Sequence, residues 1–105
     1  MKKLFISQPM NGKTDDEIYK ERDAAVKRAQ EALGEEVVLI DSYITGCPAD
    51  AKPLWFLGES LKKLSNADVA YFCKDWENYR GCCMEFDACS RYGIRIIEEP
   101  KGELK

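Results

Sequence analysis

Between Ala67 and Ile97 the sequence ADVAYFCKDWENYRGCCMEFDACSRYGIRII passes from an apolar run to a polar turn, a helical periodicity and a second apolar run. Few architectures accommodate that succession. Val69-Ala70-Tyr71-Phe72-Cys73 has the length and aromatic content of a buried strand. Lys74 to Asn78 reads as a turn. Beyond it Met84, Ala88 (with Cys89) and Tyr92 recur three to four residues apart, the stripe of an amphipathic helix. Gly93 is placed to end that helix in the left-handed conformation, which glycine adopts without steric penalty. Ile94 to Ile97 then closes a strand–helix–strand unit.

The same alternation runs upstream. Lys3-Leu4-Phe5-Ile6-Ser7 reads as a first strand, and Gln8 to Lys13 as a turn broken by proline, asparagine and glycine. Thr14-Asp15-Asp16-Glu17 has the form of a capping box. The helix it opens carries Ile18, Ala25, Val26, Ala29 and Leu33 on one stripe and stops at Gly34. Val37 to Ile40 is uniformly apolar, a strand expected to be covered on both faces. Asp41 to Lys52 is an irregular connection. Pro53 suits the first turn of a helix whose stripe is Leu54, Leu57, Leu61 and Leu64, with Ser65-Asn66 ending it. From about residue 98 the charged tail EEPKGELK has no pattern and is expected to fray or act as an interface arm.

Four strands alternating with three helices predict an α/β protein with a doubly wound parallel sheet of four or five strands and helices on both faces. With right-handed crossovers the commonest strand order is 2-1-3-4, whose winding reverses between the first and third strands. Ligands bind at such a reversal. The crevice is expected to be lined by Ser7, Gln8, Pro9 and Met10 from one strand end and by Lys74, Asp75 and Trp76 from the other.

At 105 residues the chain is long enough for one domain, residues 1–105. Its formal charge is −3, and lysine and arginine are scattered, so no basic face points to nucleic acid. MKKLFIS is too short an apolar start for a signal peptide, and no run approaches a membrane span, so a cytoplasmic protein is expected. Its five cysteines then read as reduced thiols. There is no histidine, which excludes the usual mixed zinc sites and histidine-based catalysis. Neither a metal nor a cofactor is expected.

Acid–base or nucleophilic work therefore falls to carboxylates, tyrosine, lysine or cysteine. Glu85 stands near the start of the helix, where the backbone dipole favours an ionised carboxylate. Such a carboxylate in a pocket is a nucleophile, or a stabiliser of positive charge developing at a sugar carbon. Helix stability alone also explains an acid there. Gly81 lets a ligand approach bare amides, and Arg80 suits a phosphate or carboxylate. Trp76 is placed either to stack on a base or to cover the sheet's end. Cys82 and Cys83 are too close along the chain for an ordinary disulfide. A helix N-terminus lowers a thiol's pKa, but a free cysteine is as readily a small core residue.

KLFISQPMNGKT and NADVAYFCKDWENYRGCCMEFDACSRYGIRII resemble the DUF4406 family, whose members are similar to nucleoside 2-deoxyribosyltransferases and 2′-deoxynucleoside 5′-phosphate N-hydrolases. The resemblance implies a flavodoxin-like domain, a nucleoside or nucleotide ligand, and a homodimer or larger homo-oligomer whose subunits complete each other's sites. It implies that Glu85, in a G-x-x-x-E segment begun by Gly81, attacks the anomeric carbon of a deoxyribose. It further implies that Phe5 and Ser7 to Met10 contact the nucleoside, and that Tyr79-Arg80 faces the sugar or its phosphate. Where the enzymes carry an assisting aspartate, this chain has Ser60, with Glu59 beside it. Asp75, Asp41, Glu59 or a residue from a neighbouring subunit are the candidate proton donors to a leaving base. The alternative is a non-catalytic module of the same fold that holds a nucleotide or a protein partner.

Overall fold

The computed structural model describes residues 1–41, 44 and 46–99. Its elements are β1 (Lys2–Ser7), α1 (Asp15–Leu33), β2 (Val37–Leu39), α2 (Pro53–Leu64), β3 (Val69–Phe72), a 3₁₀ turn (Trp76–Asn78), α3 (Arg80–Tyr92) and β4 (Arg95–Glu98). The four strands form one parallel sheet in the order β2-β1-β3-β4. The fold is thus the doubly wound α/β sheet expected, with its winding reversal between β1 and β3.

Each central strand feeds two cores, because successive side chains of a strand point to opposite faces. Leu4, Ile6, Val69 and Tyr71 pack toward α1, where Ala25 and Ala29 are fully buried. Phe5, Ala70 and Phe72 pack on the other face with Leu64 of α2 and Cys89 of α3. The α1 start is built as read. Thr14 Oγ1 accepts from the Glu17 N–H, and Glu17 Oε1 accepts from the Thr14 N–H. Gly34 and Gly93 end α1 and α3 with φ of 71° and 75°.

Four expectations need correction. Strand β2 is an edge, so Val38 is 46% exposed rather than covered. The buried stripe of α3 is Cys82, Glu85, Phe86 and Cys89, offset by one from the stripe counted on Met84 and Tyr92, which are exposed. On α2 the leucine stripe leaves the core toward the N-terminus: Leu64 is buried, while Leu54 is 72% exposed. The tail is tied down further than expected. Glu98 closes β4, and Glu99 accepts from the Tyr71 hydroxyl and pairs with Arg28 at 2.8 Å. The rest of that tail lies outside the described residues. Among the described residues no helix is long and apolar enough to cross a membrane.

Candidate active site

Strand alternation places Phe5 and Ser7 on the face of the sheet covered by α2 and α3. Ser7 ends β1, and its hydroxyl donates to Glu85 Oε1 at 2.6 Å. From α2 the Ser60 hydroxyl donates to Glu85 Oε2 at 2.5 Å. Three elements distant in sequence therefore converge on one carboxylate. Glu85 is only 7% exposed, yet it sits at the base of a cleft of about 590 Å³ between the end of β1, α2 and α3.

The electrostatics differ from the sequence expectation. Glu85 is the sixth residue of α3 and so lies in its second turn, whereas the dipole's effect fades within the first. Burial pushes its carboxyl above the ordinary carboxylate range, and the Ser60 and Ser7 hydroxyls oppose that push by donating to the ionised form. What the helix end was expected to do, the two serines do in part.

The cleft mouth carries cations. Lys52 is the N-cap residue of α2, Arg80 is the first residue of α3, and both line the cleft. Neither helix has a side-chain cap or an acid in its first turn. Neither cation forms an ion pair with a described residue. A Cβ added at Gly81 would meet nothing within 4 Å, so this glycine leaves open space rather than making room for packing. The walls are largely apolar, with Met10, Leu54, Phe56 and Met84 partly exposed along them.

Gln8 joins the cleft to α1. Its Nε2 donates to the Ile18 carbonyl at 2.8 Å and to Glu21 Oε1 at 3.0 Å, and Lys13 Nζ donates to the same oxygen at 2.9 Å. Both partners of the Gln8 amide are acceptors, which fixes which end is nitrogen. Its Oε1 is buried and has no partner among the described residues.

Of the residues singled out from sequence, Phe5, Gln8, Met10, Ser60, Arg80, Gly81 and Glu85 line this cleft, and Ser7 supports it from below. Pro9, Asp75 and Trp76 do not. Trp76 stacks on Phe86 with ring centroids 4.3 Å apart, and its indole N–H donates to Glu98 Oε1. It covers the end of the sheet, as one of its two readings had it, and the crevice wall expected from Lys74 to Trp76 is supplied by α2 and α3 instead. Asp75 begins the 3₁₀ turn with φ of 68°. Glu59 pairs with Lys62 at 2.9 Å and does not line the cleft, since helical neighbours point about 100° apart. Asp41 is exposed and is not a lining residue either.

Lys52, Phe56, Leu57 and Met84 line the cleft without having been singled out as site residues. Leu54, Leu57 and Met84 had been assigned to core stripes, and the partial exposure of such a stripe at its cleft end is not visible in periodicity. Thiol chemistry gains no support: burial pushes Cys82 up to about 11, despite its place in the first turn of α3, and raises Cys73 as well. Among the described residues no group of three or more histidine, cysteine, aspartate or glutamate side chains is placed to hold a metal.

Two solved structures resemble the chain in fold. One is a 2-deoxyribosyltransferase from the psychrotolerant bacterium Bacillus psychrosaccharolyticus, with a TM-score of 0.62 and 17% identity over 98% of this chain and 76% of that one. The other is a conserved protein from Enterococcus faecalis V583, with a TM-score of 0.63 and 15% identity over 93% of this chain and 62% of that one. No protein-family model matches the chain, and no curated protein does.

Proposed function

We propose that the protein acts on the N-glycosidic bond of a 2′-deoxynucleoside or its 5′-phosphate, with Glu85 as nucleophile. The observation that carries this reading is the Glu85 carboxylate itself, buried at the base of an open cleft and held by hydroxyls from β1 and α2. A carboxylate kept only for helix stability has no need of two hydroxyl donors from other elements. The likeness in fold to a 2-deoxyribosyltransferase supports the same reading.

Each carboxylate oxygen has two lone pairs, so accepting one hydroxyl leaves a pair for attack. As the Glu85 oxygen bonds to C1′, the C1′–N bond breaks and its electron pair leaves with the base. Water or a second base then attacks C1′, and the carboxylate departs. Ser7 and Ser60 hold the nucleophile against the sugar in the first half. In the second they receive the negative charge returning to it. Lys52, Arg80 and the uncapped first turn of α3, with the Leu54 N–H of α2, favour the 5′-phosphate over the unphosphorylated nucleoside, because bare amides and cations together bind an anion. The protein is cytoplasmic in this reading, and a second copy covers the partly exposed apolar side chains near the cleft mouth.

Chromatography of free base released from deoxynucleosides and their 5′-monophosphates tests the proposal. Glu85→Gln keeps the shape and removes the nucleophile. Release is expected to fall at least about a hundredfold, the scale of one lost catalytic group, while nucleotides still raise the melting temperature. If the unsubstituted protein releases no base but is stabilised by nucleotides, the non-catalytic binding module replaces the enzyme.

A further inference from the structure

We infer that the base leaving this cleft is not protonated as it goes, so that the substrate is an N-glycoside whose base already carries a positive charge, such as an N-alkylated purine or a pyridinium. The inference rests on the reading of Glu85 as nucleophile and adds the class of leaving group.

A neutral base departs as an anion unless a proton reaches it, and a positioned acid is worth roughly 10²–10⁴ in rate. Among the described lining residues the ionisable side chains are Glu85, Lys52 and Arg80. Glu85 is consumed by the attack. Lys52 caps the start of α2 at the cleft mouth, where it faces the phosphate end of the ligand, and arginine does not deprotonate in proteins. The carboxylates that offered themselves in the sequence are elsewhere: Glu59 is paired with Lys62, and neither Asp41 nor Asp75 lines the cleft. Ser60 stands where an aspartate was expected, and its proton is already donated to Glu85.

The cleft also has positive features that fit a cationic base. The buried anion of Glu85 lies beside the bond that breaks, and a positive charge there favours its ionised form. Phe56, Met10 and Met84 line the walls with an aromatic ring and two polarisable thioethers, which make favourable contacts with a heteroaromatic base. Lys52 and Arg80 at the mouth match the opposite end of the same ligand, its phosphate. A zwitterionic nucleotide therefore meets opposite charge at both ends.

The step balances without an acid. The Glu85 lone pair forms the C1′–O bond as the C1′–N pair returns to the ring nitrogen, cancelling the base's charge and releasing a neutral heterocycle. Water then cleaves the ester, giving the free sugar phosphate and a proton to solvent.

A matched pair tests this: 2′-deoxyguanosine 5′-monophosphate against its 7-methyl derivative, which differs by one methyl group and one positive charge. Base release is followed by chromatography at neutral pH, each rate corrected for spontaneous loss and for the Glu85→Gln protein. The methylated nucleotide is expected to react at least about a hundredfold faster, the factor an acid would otherwise supply. Equal rates would place an acid in the working site, from a second copy of the chain or elsewhere. They would overturn this inference and leave Glu85 as nucleophile. Absence of Glu85-dependent release from either nucleotide would overturn both this inference and the proposed function.

Discussion

The N-terminus of α1 and those of α2 and α3 are opposites. At α1 the chain satisfies itself: Thr14 and Glu17 exchange hydrogen bonds, and Asp15, Asp16 and Glu17 lay negative charge on the positive end of the helix. Helices α2 and α3 begin without a side-chain cap or a first-turn acid, and with Lys52 and Arg80 at their ends. A cap is worth about 1 kcal/mol and a favourable dipole charge about 0.3–1 kcal/mol. The chain thus forgoes stability at the two helix ends that open on the cleft and takes it at the one on the other face. The bare ends keep donors and positive charge available to something outside the chain.

The largest effect that would break this contrast lies at Arg80. Replacing it with glutamine should weaken binding of a deoxynucleoside 5′-monophosphate at least about tenfold, the scale of one hydrogen bond to a charged group. The unphosphorylated nucleoside should be nearly unaffected. Calorimetric titration of both ligands reads the difference, and equal losses for the two would show that Arg80 does not meet the phosphate. On the closed face the comparable disturbance is Ala29→Leu, which forces a larger side chain between α1 and the sheet. It should lower stability by about 1–3 kcal/mol by chemical denaturation while the folded fraction keeps its ligand affinity.

How much of this was legible in the sequence depended on range. The strand order, the Thr14 capping box and the glycine stops at Gly34 and Gly93 are set by local pattern and by the handedness of crossovers, and they were read correctly. Glu85 could be singled out by its residue type and its place after Gly81. The clamp on it could not, because Ser7 is 78 residues away and Ser60 is 25, and nothing local marks either serine as its partner. One signal was present and missed. Cys82, Glu85, Phe86 and Cys89 follow the i, i+3, i+4, i+7 spacing of a buried face, and counting Met84, Ala88 (with Cys89) and Tyr92 without the charged Glu85 moved the stripe by one position. Trp76 could be read either way, and its stacking on Phe86 depends on α3 folding back beneath the end of β3.

Glu85 gives a second contrast with α1, visible in the pH dependence of stability. Burial raises its pKa in the folded state, so the folded chain holds that proton more tightly than the unfolded one. Its contribution to stability is full below the ordinary carboxylate pKa of about 4.3 and is lost as pH rises through the folded value. Glu85→Gln removes this loss. Relative to the unsubstituted protein, the variant should gain stability between acid and neutral pH, as followed by thermal melts. Glu17, at the α1 cap, has its pKa lowered by the Thr14 backbone and side chain, so Glu17→Gln should behave in the opposite sense. A Glu85→Gln curve parallel to that of the unsubstituted protein would mean that the two serines fully offset burial.

The smallest expected effects come from exchanging the characters of the two kinds of helix end. Thr14→Ala removes the α1 cap and should cost about 1 kcal/mol with no change in ligand affinity, since Thr14 is exposed and does not line the cleft. Lys52→Asp makes the reverse change at α2. Lys52 already has the extended backbone of an N-cap, with φ of −103° and ψ of 166°, and is exposed, so an aspartate there can reach the Leu54 N–H without losing packing; Pro53 has no N–H, and that of Trp55 already donates to the Lys52 carbonyl at 2.9 Å. Stability should rise by about 0.5–1 kcal/mol, from the cap and from negative charge at the dipole's positive end. Affinity for a 5′-monophosphate should fall, because a carboxylate now occupies the Leu54 amide and a cation has gone. The two readouts must move in opposite directions. If Lys52→Asp raised stability and left phosphate binding intact, the bare end of α2 would be no part of the site, and the contrast with α1 would reduce to the start of α3 alone.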